Sequence, residues 1–284
     1  NDFFIGNRDF LDMPKKFKIS ITGCDIRCTK PEIQDLGLFA VEHGGEVGFA
    51  ALIGGGVGAT QPGPRLAEPL GAFLRPDEVF DVTRAMAEIH RDHGNRESKA
   101  KARFKYLVAN WGVQRIREKL EEKLGRKLEP LEVRPKISGE EHSGVQEQKN
   151  GNYFINVPLI GGVLSSERMR DVADITETYG SGEIRLTTLQ NMILVNIPKD
   201  GLEGALKQLE ETGLPVRGPP LRWTAIGCAA DFCGRSAEPH PKQMAKGIVE
   251  HLEQRFDTAL DDLKLRLYVT GCPNDCCLRM IGDI

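Results

Sequence analysis

The sequence lacks an excess of either charge, a long apolar run and a targeting segment. Its 38 Lys+Arg and 41 Asp+Glu residues give a formal net charge of −3, which argues against a nucleic-acid partner because such proteins carry a basic excess. No apolar run approaches the roughly 18 residues of a membrane-spanning helix, and no signal segment opens the chain. We therefore expect a cytoplasmic protein without nucleic-acid or membrane partners. With 40% hydrophobic and 28% charged residues, the chain is typical of folded domains.

Seven cysteines stand out in this composition. Their odd number and the missing signal segment make a disulfide framework a poor explanation. Two close pairs follow predicted strands, so four thiolates could surround one centre. Such a set holds an iron–sulfur cluster or a structural zinc ion, and buried apolar cysteines are the third alternative. The candidate ligands are Cys228, Cys233, Cys272 and Cys276, with the adjacent Cys277 as a spectator.

Hydrophobic periodicity and helix-terminal residues predict alternating short strands and helices. The 60-residue strand–helix–strand–helix unit that starts at Tyr153 indicates a small α+β domain. Strands are predicted at 17–22, 36–42, 46–53, 153–159, 183–197 (one or two), 222–226 and 263–270. Helices are predicted at 76–93, 98–124 (with Gly112 as a weak point), 165–179, 200–212 and 241–256.

An internal repeat links the two halves of the chain. A basic residue, an alternating strand, Thr-Gly and a C-x3-C pair occur at 18–28 and again at 266–276. The spacing of 248 residues is too large for a solenoid and indicates a duplicated protein. Cys24 and Cys28 of the first copy have no upstream partner pair, so they are either a relic of the duplication or half of a second metal site. This missing pair, together with a start at Asn1 without Met, leads us to expect a fragment of a longer protein.

Two groups of basic residues suit an anion. Lys16 and Lys18 point to one face of the predicted strand with Phe17 on the other, which suits an anionic substrate, although a solvated strand explains them as well. A second group lies between residues 91 and 105 and suits a polyanionic cofactor or an exposed helix face. Its members are Arg91, Arg96, Lys99, Lys101, Arg103 and Lys105.

A glycine-rich loop provides a competing interpretation. Gly54-x-Gly56-x-x-Ala59 follows an apolar strand and formally matches the dinucleotide fingerprint. The fingerprint needs a helix that begins at the glycines, and Pro62-Gly63-Pro64 disfavours one. A nucleotide-dependent oxidoreductase is thus a distant alternative.

Taken together, these motifs resemble the siroheme and 4Fe–4S nitrite/sulfite reductase family, of the ferredoxin-dependent type. The resemblance extends over nearly the whole chain, and Gly271-Cys272-Pro273-Asn274-x-Cys276 is its most specific part. The other matching segments are Met13-Pro14-Lys15-Lys16-Phe17-Lys18, Gly48-Phe49-x4-Gly54-Gly55-Gly56, Asp92-His93-Gly94-Asn95-Arg96 with the bases up to Lys105 and Tyr106, and Gly182-Glu183-Ile184-Arg185-Leu186-Thr187-x2-Gln190-Asn191.

The resemblance implies an α+β fold in which pseudo-duplicated mixed-sheet siroheme/Fe–S domains are joined by a ferredoxin-like half-domain. The implied parts are a first siroheme-binding domain at 1–130, a linker at 131–150, the half-domain at 151–215 and a second Fe–S/siroheme domain at 216–284. We expect a monomer.

The resemblance also implies roles for single residues. Cys228, Cys233, Cys272 and Cys276 would ligate the 4Fe–4S cluster, and Cys276 would also bridge to the siroheme iron. Lys16 and Lys18 would bind the anion and supply protons. Asn274 and the bases between 96 and 105 would bind siroheme.

The implied reaction is the six-electron reduction of nitrite to ammonia with electrons from ferredoxin. Sulfite reduction to sulfide is the alternative, and a zinc-bound structural domain is a distant one.

The chain departs from the family pattern in two places. The family spaces its first cysteine pair C-x5-C, whereas Cys228 and Cys233 are spaced C-x4-C, which makes Cys228 the least secure ligand. The two distal-face arginines of the family come from a half-repeat that this sequence does not contain.

Overall fold

The computed structural model describes residues 2–58, 63–133, 142–233, 238 and 240–284. The chain divides into two compact units, residues 1–140 and 141–284. Within the described residues, no helix combines the length and the apolar character that crossing a membrane requires.

Unit 1 is built on a mixed five-stranded sheet with the order β1-β2-β3-β4-β5. The first pair of strands is parallel and the remaining pairs are antiparallel. Three helices pack on the sheet around a buried cluster that includes Leu36, Ile53, Met86 and Phe104. The elements are β1 (Ile19–Thr22), β2 (Leu36–His43), β3 (Glu46–Ile53), β4 (Glu68–Leu74), α1 (Val79–His93), α2 (Phe104–Trp111), α3 (Val113–Leu124) and β5 (Glu129–Pro130).

The predicted helix at 98–124 is wrong as one element. Gly112 has a φ of +77° and separates α2 from α3, a conformation that glycine adopts without a Cβ penalty. Residues Lys99–Lys101 form a separate 3-10 turn. The sequence analysis also missed β4, which contains Pro69 and a Gly71 with a φ of +75°. Its pairing with β3 shifts register between Ala50 and Leu52, which hides it from a strict alternation search.

Unit 2 begins with an antiparallel four-stranded sheet of order β6-β7-β9-β8. Two helices cover it, and α4 starts at an N-cap where the Ser165 hydroxyl accepts a hydrogen bond from the Arg168 amide at 3.3 Å. Strand β6 lies within the segment predicted as a linker. The elements are β6 (Gly144–Glu147), β7 (Tyr153–Val157), α4 (Ser166–Tyr179), β8 (Ile184–Leu186), β9 (Met192–Ile197) and α5 (Leu202–Glu211).

The rest of unit 2 carries five of the cysteines. The short helix α6 (Leu221–Thr224) precedes β10 (Ile226–Gly227), then come α7 (Pro241–Phe256) and β11 (Tyr268–Val269). The predicted strand at 222–226 is wrong over most of its length, because α6 occupies it. The predicted strand at 263–270 shrinks to β11, since only that stretch finds a parallel partner in β10.

Candidate functional site

The cysteine pairs of unit 2 follow two strands that pair in parallel. β10 ends at Gly227 and β11 at Val269, so the turns that carry Cys228 and Cys272 leave the same end of this small sheet. The Cys228 amide still donates to the carbonyl of Val269 at 2.9 Å. The strand ladder therefore fixes the backbone at the first candidate ligand.

Two of the five sulfurs are buried and differ in chemistry. Burial disfavours the Cys228 thiolate, but hydrogen bonds from the amides of Ala230 and Gly271 and from the Cys277 thiol stabilise it, and together they lower the pKa of Cys228. Cys277 is 3% exposed, and burial, with the neighbouring Cys228, raises its pKa to about 12. The lowered pKa suits Cys228 to metal binding as a thiolate, and the raised pKa of Cys277 favours its thiol form. The role of Cys277 as a spectator stays a prediction.

The other three cysteines are more open. Cys233 and Cys276 are exposed and Cys272 is intermediate. Around a tetrahedral zinc ion, four sulfurs at 2.3 Å from the metal lie roughly 3.8 Å apart. Within the described residues, no three of the five sulfurs of unit 2 lie within 4.8 Å of one another. The arrangement does not present a closed single-zinc site.

The internal repeat has a common backbone structure. We call residues 18–36 the first cysteine turn and residues 266–284 the second cysteine turn. The amide of Lys18 donates to the carboxylate of Asp35 at 2.8 Å, and that of Arg266 to Asp283 at 2.9 Å. In each turn the first cysteine carbonyl accepts the amide three residues on, and two residues have a positive φ. The matched positions are Lys18/Arg266, Cys24/Cys272, Arg27/Asp275, Lys30/Leu278, Asp35/Asp283 and Leu36/Ile284.

The first cysteine turn has no counterpart of the Cys228 pair in unit 1. Its Cys24 amide donates to the Thr22 hydroxyl at 3.1 Å, and the Cys28 sulfur lies 3.9 Å from the same oxygen. Both cysteines are partly buried. The shared backbone supports the prediction of a duplication, and the function of this pair stays a prediction.

The predicted lysines lie just before the first strand, which starts only at Ile19, and their common orientation stays a prediction. Phe17 packs inward, 5.6 Å from the His90 ring and 5.2 Å from that of Phe104. Lys16 is exposed and Lys18 is partly buried. The alternation therefore leaves the Lys16 side chain accessible to an anion.

The predicted siroheme-binding bases separate into two groups. Arg103 forms a salt bridge with the buried Asp35 at 2.7 Å. Lys105 is 2% exposed, burial lowers its pKa, and its ammonium donates to the carbonyls of Gly56 at 3.2 Å and Gly63 at 2.6 Å. The side chains of Arg103 and Lys105 thus make stabilising contacts within unit 1.

The remaining bases are exposed. Arg96 contacts Asp12 at 3.1 Å, and Lys99 and Lys101 lie on an exposed turn. Arg96 and Lys101 border a cavity of about 730 Å³, which His93, Asn95, Tyr106 and Trp111 also line. Within unit 1, this cavity is where a cofactor carboxylate could meet predicted binding residues.

The glycine loop packs tightly instead of starting a helix. A Cβ at Gly54 would lie 2.9 Å from Val108, and one at Gly55 would lie 2.7 Å from the carbonyls of Glu32 and Gln34. No helix begins in the described part of this loop, residues 54–58. Close packing therefore accounts for these glycines without a nucleotide, and Ala59 and Pro62 lie outside the described residues.

Comparison with known proteins decides the family. Residues 1–128 match the family model for the nitrite and sulphite reductase 4Fe-4S domain, and residues 145–212 match that for the nitrite/sulfite reductase ferredoxin-like half domain. The chain belongs to the nitrite and sulfite reductase family.

Relatives in this family carry both names. An assimilatory ferredoxin-dependent nitrite reductase of Haloferax mediterranei is 33% identical over 96% of this chain and 49% of its own length. A sulfite reductase [ferredoxin] of Mycobacterium tuberculosis is 34% identical over 99% of this chain and 51% of its own length. The chain thus spans about half the length of the curated relatives it matches.

A solved family structure confirms the α+β fold. The Mycobacterium tuberculosis NirA protein matches with a TM-score of 0.89 and 32% identity, over 96% of this chain and 50% of that protein. The mixed sheet of unit 1 and the ferredoxin-like sheet of unit 2 are therefore those of the family.

The cysteines of unit 2 lie outside both segments that the family models match, so their assignment to a cluster rests on their own chemistry. Thiolates are the ligands of 4Fe–4S clusters, and hydrogen bonds to the sulfurs tune them. Cys228 has both a lowered pKa and backbone amides directed at its sulfur. The C-x4-C spacing is thus compatible with a ligand at Cys228, which stays a prediction together with Cys233, Cys272 and Cys276.

Sequence reasoning missed the residues that support these cysteines. The Lys242 ammonium donates to the Gly161 carbonyl at 2.5 Å; burial lowers its pKa, while Cys277 and Cys228 act in the opposite direction. The Gln190 side chain bonds to the backbone of Gly227. Gln190 belongs to a family-like motif, but only the fold shows its partner 37 residues away.

Proposed function

We propose that this chain is part of an enzyme that reduces nitrite to ammonia in a six-electron reaction at siroheme coupled to a 4Fe–4S cluster. The observation that carries the proposal is the thiolate-stabilising turn at Cys228 beside the second cysteine turn, in a chain whose two family matches belong to this class of reductase. Sulfite reduction to sulfide is the second candidate, because relatives of both names match at 33% and 34% identity.

Each unit contributes its own groups to the proposal. In unit 2, Cys228, Cys233, Cys272 and Cys276 hold the cluster. By the resemblance, Cys276, which is exposed, would also ligate the siroheme iron, and Asn274 would bind siroheme. The cluster and siroheme supply electron transfer when they are bound.

In unit 1, Lys16 and Lys18 bind the anion and deliver protons. Reduction of an anion needs positive charge and acids near the developing charge, and the exposed ammonium of Lys16 can provide both. Arg96, Lys99 and Lys101 bind siroheme carboxylates. Arg103 and Lys105 contribute indirectly. Arg103 pairs with Asp35, and Lys105 donates a hydrogen bond to the glycine loop at Gly56.

The electron donor in this proposal is ferredoxin, and the protein acts as a monomer. The test uses the purified full-length protein supplied with siroheme, iron and sulfide, because this chain spans about half the length of its relatives. We expect a siroheme absorption band, four cluster irons and a much higher kcat/KM with reduced ferredoxin for nitrite than for sulfite. A preference for sulfite selects the second candidate. Equal rates on both anions, or no haem band after siroheme supply, would contradict the proposal.

A further inference from the structure

The outer edge of β10 has an unusual hydrogen-bond partner. Along β10, the amides of Ile226 and Cys228 donate to the carbonyls of Leu267 and Val269, both at 2.9 Å. Because bonding directions alternate along a strand, the amide and carbonyl of Gly227 point away from β11. They meet the Gln190 side chain, whose Nε2 donates to the Gly227 carbonyl at 3.1 Å and whose Oε1 accepts from its amide at 3.2 Å.

The Gln190 carboxamide thus replaces a neighbouring strand. A primary amide offers a donor and an acceptor side by side, which is what one strand residue needs on its open edge. The backbone of Gln190 is held in a turn, because its amide donates to the Thr187 carbonyl at 3.2 Å. In this turn Gln190 has a φ of +65°. A non-glycine residue in this conformation is uncommon and costs free energy.

The next residue continues the same connection. The Asn191 Oδ1 accepts from the Leu159 amide at 2.9 Å, and its Nδ2 donates to the Trp223 carbonyl at 2.7 Å. The turn between β8 and β9 is thereby attached to the segment that leads into β10. Gln190 is the member of this pair that reaches the residue directly before Cys228.

Gly227 is also confined on a further side. A Cβ at this position would lie 2.6 Å from the Cα of Lys242 in α7, so the helix backbone rests directly on it. The strand ladder, α7 and the Gln190 carboxamide surround Gly227 together. Only the carboxamide is a side chain that can be changed without rebuilding the backbone.

We propose that Gln190 is a positioning residue for the Cys228 sulfur, which it fixes through the two backbone groups of Gly227. The inference rests on the proposed function, in which Cys228 ligates the cluster. The short C-x4-C turn makes this support important, because it leaves less chain to absorb a displacement of Cys228.

The test compares Gln190→Met with the parent protein loaded with its cofactors. The methionine keeps the length of the side chain and removes both hydrogen bonds. We expect exchange of the Gly227 amide hydrogen to rise about tenfold, the effect of one lost hydrogen bond at the upper end of its usual range. The reduction potential and EPR signal of the cluster shift as well. Gln243→Met, at an exposed position of α7, is the matched control and leaves both readouts unchanged.

A second variant keeps the inference testable if Gln190→Met does not fold. Gln190→Glu retains the acceptor for the Gly227 amide and loses the donor to its carbonyl, so amide exchange stays near the parent rate while the cluster signal shifts. Parent-like Gly227 exchange in Gln190→Met, or a parent-like cluster signal in either variant, overturns the inference. If the parent binds no cluster, the proposed function fails, and the Gly227 exchange still decides whether Gln190 holds this strand.

Discussion

The two cysteine turns have the same backbone and different surroundings. In the first, the carboxylate of Asp35 is fully buried and is paired with Arg103, 68 residues away. In the second, Asp283 is one-third exposed and is paired with Arg266, whose own amide it also accepts. The first turn is therefore stabilised by a residue from a distant segment, whereas both partners of the ion pair in the second turn belong to that turn.

The two turns also differ in the cysteines that lie near them. The second cysteine turn lies beside Cys228, whose pKa is lowered, whereas the sequence of unit 1 contains no cysteine besides Cys24 and Cys28. The comparison shows a backbone shared by two turns, and our proposal assigns the cluster to the second of them.

The largest effect is expected for the second cysteine of each C-x3-C pair. In Cys276→Ser we expect loss of the siroheme band and a fall in activity of more than about a hundredfold, since a direct ligand should exceed the effect of residues that only support ligands. The matched variant Cys28→Ser keeps both. Absorption spectra and steady-state rates measure the difference. Equal losses in the two variants would contradict the assignment of the cluster to the second cysteine turn.

The buried aspartate should matter more for stability than its counterpart. Asp35→Asn leaves Arg103, whose side chain is 15% exposed, without its anion, and we expect about 3–5 kcal/mol of destabilisation. Asp283→Asn disrupts a partly exposed pair and should cost below about 1 kcal/mol. Urea unfolding followed separately for each unit tests this order, and a reversed order would contradict the comparison.

Acid should weaken the second turn through Asp283. Hydrogen bonding and charge from Arg266 hold the pKa of this carboxyl below its ordinary value of 3.8. The unfolded chain therefore takes up the proton at higher pH, so the contribution to stability is complete above pH 3.8 and is lost as the pH falls towards the folded pKa. The stability difference between the parent and Asp283→Asn should shrink over this range. A difference that stays constant speaks against the pairing.

The smallest contrast concerns the threonines that precede the cysteines. Thr22→Val leaves the Cys24 amide without its acceptor at 3.1 Å, and we expect a cost of about 1 kcal/mol. Thr270→Val removes a donor to the Cys272 carbonyl, which still accepts the Asp275 amide at 3.2 Å, so its cost should be smaller. Thermal unfolding of the two variants measures the order, and a larger loss in Thr270→Val would be against it.

Local sequence patterns were sufficient for much of this fold. The hairpin of β2 and β3, the capped helix α4 and the proline-started helix α7 were predicted close to their observed positions, because their periodicity and end signals lie within a few residues. The pattern failed at Gly112, where a left-handed glycine divides a continuous helical pattern, and at α6, where four residues of strand-like sequence fold as a helix.

The candidate site shows the same limit. The cysteines were found from their spacing, and the repeat indicated the duplication. The groups that distinguish the two turns were not predictable, since Asp35 meets Arg103, Gln190 meets Gly227 and Lys242 meets Gly161 only after distant segments pack. Long-range contacts of this kind leave no periodic signal in the chain.

The most direct test of the central claim is the iron and acid-labile sulfide content of two double variants. We predict that Cys24→Ser/Cys28→Ser retains the parent content, about four irons and four sulfides in the cluster, and that Cys272→Ser/Cys276→Ser loses the cluster. Loss of iron and sulfide from the first double variant, or their retention in the second, would contradict the account.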